Sequence, residues 1–218
     1  MSGRPTTDVR CWPVFSVLAV LLLLAWVDVA SAQSAPAIVR VEEDWELVVG
    51  DADPASDAPQ VTCVISPNGS FDSLHATFVV NEQSLPIYEA GGLQLQLWEG
   101  EVPLTDRRFP NGNILSTAGE VIRWTQALEL SGGMLTFEIT DGTSTTWGSF
   151  GGQGYLKSSI ATSLADLNAY DPAVSVEHSG VSYAGNRVVW LALKCVRAYT
   201  ATGEEVEDAT VRVVHSHQ

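Results

Sequence analysis

Val39-Arg40-Val41-Glu42-Glu43-Asp44-Trp45-Glu46-Leu47-Val48-Val49 alternates with a period of two. Val39, Val41, Trp45, Leu47 and Val49 fall on one side, interrupted by Glu43, while Arg40, Glu42, Asp44 and Glu46 fall on the other. Successive side chains of a strand point to opposite faces, so this is a strand with one buried and one solvated side. The same period continues outward. Gln60 to Ile65 and Ala76 to Val80 are short strands, and Gly92 to Trp98 sets Leu93, Leu95 and Leu97 against Gln94, Gln96 and Trp98. Val121 to Leu130 and Met134 to Thr140 are joined through Ser131-Gly132-Gly133, a hairpin signal. Asp141-Gly142 is a type I′ turn dipeptide leading into the β-prone run Thr143 to Trp147. Val174 to His178, Arg187 to Tyr199 and Thr210 to His215 complete the set.

About ten short strands bounded by Gly, Pro, Asn and Asp clusters predict an all-β chain. Strands with one polar and one apolar face suit an antiparallel two-sheet β-sandwich of jelly-roll-like form, with a closed barrel as the alternative. Helix signals are few. Ser163 to Tyr170 has room for two turns, with Ile160, Leu164 and Leu167 on one side, and Asp171-Pro172 would end it. Gly50 to Ala58 and Glu101 to Asn113 read as long loops.

Residues 1–32 have the order of a secretory signal peptide. Arg4 and Arg10 precede an apolar run from Cys11 to Val27, and Ala30-Ser31-Ala32 supplies the small residues of a cleavage site. Cleavage there leaves 33–218 as one domain in a secreted or periplasmic setting. No later apolar run is long enough to span a bilayer, which takes roughly 20 residues, so no membrane attachment is expected once the leader is gone. The chain carries a formal charge of −15. Such a surface repels nucleic acid and anionic lipid.

Export leaves Cys63 and Cys195 as an even pair in an oxidising compartment, and a disulfide between them is expected. It would close a loop of about 130 residues, for which chain entropy allows about 5 kcal/mol. Asp51, Asp53 and Asp57 crowd one loop with the hard oxygens that Ca²⁺ takes, although the spacing is not that of an EF-hand. Asp166, Asn168 and Asp171 form a second, weaker group. No other cofactor is called for. Asn68-Gly69-Ser70 matches a glycosylation sequon.

Two sets of side chains carry functional expectations. Trp98 shares its strand face with Gln94 and Gln96, and Trp147 lies in a run of Thr, Ser and Gly. Exposed indoles beside amides and hydroxyls suit stacking against sugar rings. The other set is Glu42, Asp44 and Glu46, three acids on one strand face about 7 Å apart in succession. Their spacing resembles the E-x-D-x-E signature of jelly-roll β-glucanases of the laminarinase and lichenase type. That resemblance implies Glu42 as nucleophile, Asp44 as assisting acid and Glu46 as general acid/base. It covers five residues, and the inward Glu43 would be a bare charge in the core, which is costly when unpaired.

Trp45-Glu46-Leu47-Val48-Val49-Gly50, Arg123-Trp124-Thr125-Gln126, Gly142-Thr143-Ser144-Thr145-Thr146-Trp147-Gly148 and Tyr183-Ala184-Gly185-Asn186-Arg187-Val188 together resemble a group of secreted bacterial β-rich proteins of unknown function. The resemblance implies export and a single domain, and it carries no activity. The sequence therefore points to a non-enzymatic β-sandwich whose partner is extracellular carbohydrate or a cell-envelope component. A glycoside hydrolase using Glu42 and Glu46, or a structural envelope component, is the alternative. Oligomeric state is not encoded in any pattern found.

Overall fold

The structure is a computed structural model, and it describes residues 36–51, 59–82, 92–109, 115 and 117–217. Residues 1–35, and with them the expected leader, lie outside the described residues, as do Asp53 and Asp57. Pro36–Gln218 forms one compact unit.

Two antiparallel sheets make the sandwich. The strands of the larger are β1 (Ile38–Val49), β6 (Val121–Ser131), β7 (Met134–Ser144), β8 (Gly148–Phe150), β9 (Lys157–Ala161), β11 (Val188–Thr200), β12 (Glu205–Asp208) and β13 (Arg212–Ser216). They run in the order β12-β11-β1-β6-β7-β8, with β13 also on β11 and β9 also on β7. The smaller sheet is β10 (Gly180–Tyr183), β2 (Gln60–Ile65), β3 (Leu74–Glu82), β4 (Gly92–Glu99) and β5 (Val102–Phe109), in that order. The one α-helix among the described residues is α1 (Pro172–His178).

The core is the facing pair of apolar rows. β1 contributes Val41, Trp45, Leu47 and Val49, β6 Ile122, Trp124 and Leu128, and β7 Leu135, Phe137 and Ile139. Cys63, Ile65, Phe78, Leu95 and Leu97 meet them from the smaller sheet. Trp45 and Trp124 are directly opposed across β1 and β6 and lie nearly parallel with centroids 6.2 Å apart. Phe78 leans on Trp124 from the opposite sheet at 5.7 Å. Burial of these rings together with the aliphatic rows around them drives the two sheets to close.

Several local expectations change. The Ser131-Gly132-Gly133 hairpin forms, with Gly132 and Gly133 both at positive φ, as a type I′ turn requires. Asp141-Gly142 does not turn. It continues β7 past an irregularity in the β6 register, and Gly142 is there because Phe150 packs over it. A Cβ at Gly142 would lie 2.1 Å from that ring. Glu101 to Asn113 is not one long loop, since Val102–Phe109 pairs with β4. Val174 to His178 is helix, not strand, and Ser163 to Tyr170 is not helical. Asp171-Pro172 starts a helix instead of ending one. The Asp171 carboxylate accepts from Ala173 N at 2.8 Å and Pro172 occupies the first turn, where its missing N–H costs nothing.

The expected disulfide is not formed, and both cysteines are free. Cys63 points from β2 into the core. Cys195 lies on the far side of the larger sheet, its Sγ within 3.8 Å of Arg197 Nη1. A whole layer of strand separates the two sides. Burial, then the nearby Glu43 carboxyl, pushes the Cys63 thiol up.

Candidate functional site

β1 is the central strand of the larger sheet, flanked by β11 and β6, so each of its outward acids meets a neighbour on either side. Arg40 Nε and Nη2 donate to Glu42 Oε1 at 2.9 and 2.8 Å, and Arg40 Nη1 reaches Glu129 Oε2 at 2.5 Å. Arg197 donates to Glu42 Oε2 at 3.1 Å and to both oxygens of Asp44 at 2.6 and 2.8 Å. Thr125 Oγ1 donates to Asp44 Oδ1 at 2.7 Å. Arg123 Nε donates to Glu46 Oε2 at 2.9 Å, and Lys194 Nζ stands 3.5 Å from Glu46 Oε1.

This lattice favours the ionised form of two acids. Burial alone would raise Glu42 and Asp44, but the bonds from Arg40 and Arg197 to Glu42, and from Arg197 to Asp44, outweigh it and hold both below the usual carboxylate range. A glycosidase needs one carboxyl that keeps its proton, placed about 5–10 Å from the other. Glu42 and Glu46 are four residues apart on a strand whose register with β6 is unbroken from Arg40 to Val48, about 13 Å at the strand's rise. Glu42 and Asp44 are held by guanidinium groups, Glu42 also accepts from the Tyr199 hydroxyl at 3.2 Å, and Glu46, the expected acid/base, is farther from Glu42 along the strand than a glycosidase pair.

The inward Glu43 is a different case. It is 0 % exposed yet fully partnered. Trp45 Nε1 and Gln126 Nε2 donate to Oε2 at 2.9 and 2.7 Å, and the hydroxyls of Tyr170 and Ser175 donate to Oε1 at 2.7 and 2.5 Å. Gln126 faces Glu43 directly across β1 and β6. Tyr170 precedes α1 and Ser175 is the buried residue of α1. One carboxyl thus ties the segment before α1, and α1 itself, to the middle of the larger sheet. Burial pushes Glu43 above its ordinary value, and the four donors oppose that push. The bare charge expected in the core is therefore a clasp.

Between the outward side chains lies an open depression of about 340 Å³, lined by Asp44, Glu46, Arg123, Thr125, Asp141 and Lys194, with Trp45 and Trp124 beneath. Trp190 adjoins it on β11, with Lys194 Nζ 5.9 Å above its ring. Sequence alternation alone placed Glu42, Asp44 and Glu46 together. It missed Arg123, Asp141, Lys194 and Trp190, because the register that gathers them is a property of strands far apart in the chain.

The residues expected to bind sugar are elsewhere and apart. Gln94 and Gln96 are covered, at 2 % and 6 % exposure, and Gln94 Nε2 donates to Asp106 Oδ1 at 3.1 Å. Trp98 is half-buried, its N–H donated to Thr77 at 3.1 Å, and its ring lies parallel to His75 at 6.3 Å. Phe71 continues this row, 4.2 Å from His75 and 4.3 Å from His178. Trp147 belongs to the core, contrary to the expected exposure.

Asp51 is exposed, and the rest of its acidic triplet lies outside the described residues. Asp166, Asn168 and Asp171 do not converge on a cation. Asp166 bonds Asn168 N, Asn168 bonds Ile38 N, and Asp171 caps α1. Among the described residues no three His, Cys, Asp or Glu side chains gather as metal ligands, and no helix is long and apolar enough to cross a membrane. Asn68 of the sequon is engaged with Ser66 and Ser73.

No family model matches the chain, and no curated protein does. Among solved structures it is similar to ligand-free congerin I, at 13 % identity over 59 % of this chain and 89 % of that one, with a TM-score of 0.29. It is also similar to an ancestral congerin, at 15 % identity over 58 % of this chain and 91 % of that one, with a TM-score of 0.27. At those scores neither likeness bears on what this chain does. The class defined by the fold itself is an antiparallel two-sheet β-sandwich with a polar, charge-paired outer face.

Proposed function

We infer that the chain is an exported, non-enzymatic binding domain whose ligand is an extracellular carbohydrate held on the outer face of β1, β6 and β11. One observation carries this reading: the depression of about 340 Å³ is walled by charged donors and acceptors together, Arg123 and Lys194 with Asp44, Glu46 and Asp141. Sugar hydroxyls both donate and accept, so they match a surface that offers both at short intervals. Ion pairs from Arg123 and Lys194 orient the half-buried Glu46 toward the depression. Trp190 beside Lys194 supplies an aromatic surface at the margin. The clamped state of Glu42 and Asp44 favours binding over hydrolysis.

The test is a glycan array, followed by titration calorimetry on any hit with wild type, Arg123→Ala and Lys194→Ala. Binding that weakens at least tenfold in each variant, with the melting temperature kept, supports the reading. A hit that both variants bind as wild type does would move the site elsewhere. An array without hits would remove the carbohydrate.

A further inference from the structure

β12 and β13 form one composite edge. Both run antiparallel to β11, β12 against Val196–Tyr199 and β13 against Trp190–Leu193. Among the described residues neither is paired with a strand on its other side, although β13 also packs against α1 and β10. An open strand edge offers a row of backbone donors and acceptors to another chain.

Two further observations fall on this edge. Val206, Val211 and Val213 are exposed, Val206 at 58 % and Val213 at 46 %, and exposed Val189 lies on β11 at the β13 end, where its carbonyl accepts from His217 N. Charge is also divided along it. Glu204, Glu205, Glu207 and Asp208 occupy the first half, while Arg212, His215 and His217 occupy the second, which contains no acid. Asp208 and Arg212 meet at the junction in an ion pair.

We propose that this edge pairs antiparallel with the same edge of a second copy, about a two-fold axis near Thr210, giving a reversible dimer with a continuous sheet across both subunits. The charge division selects this partner and this direction. A chain of −15 charge repels its own copies except where the contact is locally complementary. Antiparallel pairing about Thr210 sets each acidic half against the half without acids, whereas parallel pairing sets acid on acid. Closed two-fold association is also the commonest way for one surface to satisfy itself. The contact is smaller than a standard interface of about 1,600 Å², so dissociation is expected on the order of tens of micromolar. β5, the far edge of the smaller sheet, competes poorly. It too exposes Val102 and Leu104, but Pro103 removes a backbone donor from it, and it carries no division into an acidic and an acid-free half.

Sedimentation velocity from 1 to 500 μM tests this, with circular dichroism melts confirming that each variant folds. Wild type should pass from monomer to dimer over that range. Glu204→Lys with Glu207→Lys should weaken the dimer at least tenfold, and so should Val213→Glu with Ser216→Glu, since 204 faces 216 and 207 faces 213 about that axis. All four substitutions together should restore it to within a few fold, because complementarity returns with its sign reversed. Monomer at every concentration would overturn the proposal. So would a dimer indifferent to these substitutions, as association through β5 would be, or a quadruple variant no tighter than the doubles.

Discussion

Replacing Glu43 by Ala removes the acceptor of four buried donors at once. The hydroxyls of Tyr170 and Ser175 can turn toward other oxygens. Trp45 Nε1–H and the Gln126 amide cannot, and Gln126 Oε1 already lacks a partner. A stranded buried donor costs about 1–3 kcal/mol, and the space left by the carboxyl adds to that, while relief of the carboxyl's own burial offsets part. The net expectation is a loss of about 3–5 kcal/mol. At about 2–4 °C per kcal/mol for a domain of this size, the melting temperature should fall by about 10 °C. Glu43→Gln is the informative companion. Its carbonyl can accept from Trp45 and Gln126 while its amide donates to the two hydroxyls, so the expected cost is about 1 kcal/mol. The two proteins should also differ in pH response. Burial raises the folded-state value of Glu43 above 4.5. The stability this gives is complete below 4.5 and is lost as pH rises through the folded value. The advantage of wild type over Glu43→Gln should therefore be larger at pH 4 than at pH 8, measured by urea unfolding at both. An Ala variant that melts within 2 °C of wild type, or a wild-type advantage that does not change between those pH values, would refute the clasp.

The neighbouring acids should respond in the opposite sense. Glu42 and Asp44 sit below their ordinary values of 4.5 and 3.8. Their contribution is present above those values and lost as pH falls through the lowered ones. Arg197→Gln should raise both carboxyls in a carbon-detected NMR titration and cost about 1 kcal/mol at pH 7, modest because the group is partly exposed. Gly142→Ala should cost about 3 kcal/mol by driving a methyl into Phe150, and Phe150→Leu in the same chain should recover part of it; equal melting of wild type and Gly142→Ala would contradict the packing. Native alkylation should label Cys195 and spare Cys63 until the protein is unfolded, with no mass change on reduction. A gain of two mass units on reduction would restore the disulfide.

The fold was legible where its cause is local. Period-two alternation found β1, β2, β4 and the β6–β7 hairpin to within a residue or two at most ends, because the inner face of each strand is apolar whatever lies opposite. It failed where two local rules compete. Asp171-Pro172 both stops and starts helices, and only the Asp171 side chain bonded to Ala173 decides between them. Asp141-Gly142 has turn composition, but the ring of Phe150, eight residues on, needs the glycine more than a turn does. The candidate site was less legible still. Three acids on one strand are visible in the sequence, but whether they are proton donors or anions depends on Arg197, over 150 residues away. Glu43 looked like an error in the apolar row for the same reason, since the groups that satisfy it come from β6 and from the segment entering α1.

The place of β1 has a consequence for how this chain reaches its native state. The first described strand sits mid-sheet, hydrogen-bonded on one side to a strand that ends at Thr200. Nothing made before β11 can complete that pairing, so every residue from β1 through β11 must be present before the larger sheet can be assembled. Contacts this distant in sequence make for slow folding, on the millisecond-to-second scale. Until β11 arrives, one flank of β1 stays open to any other extended chain.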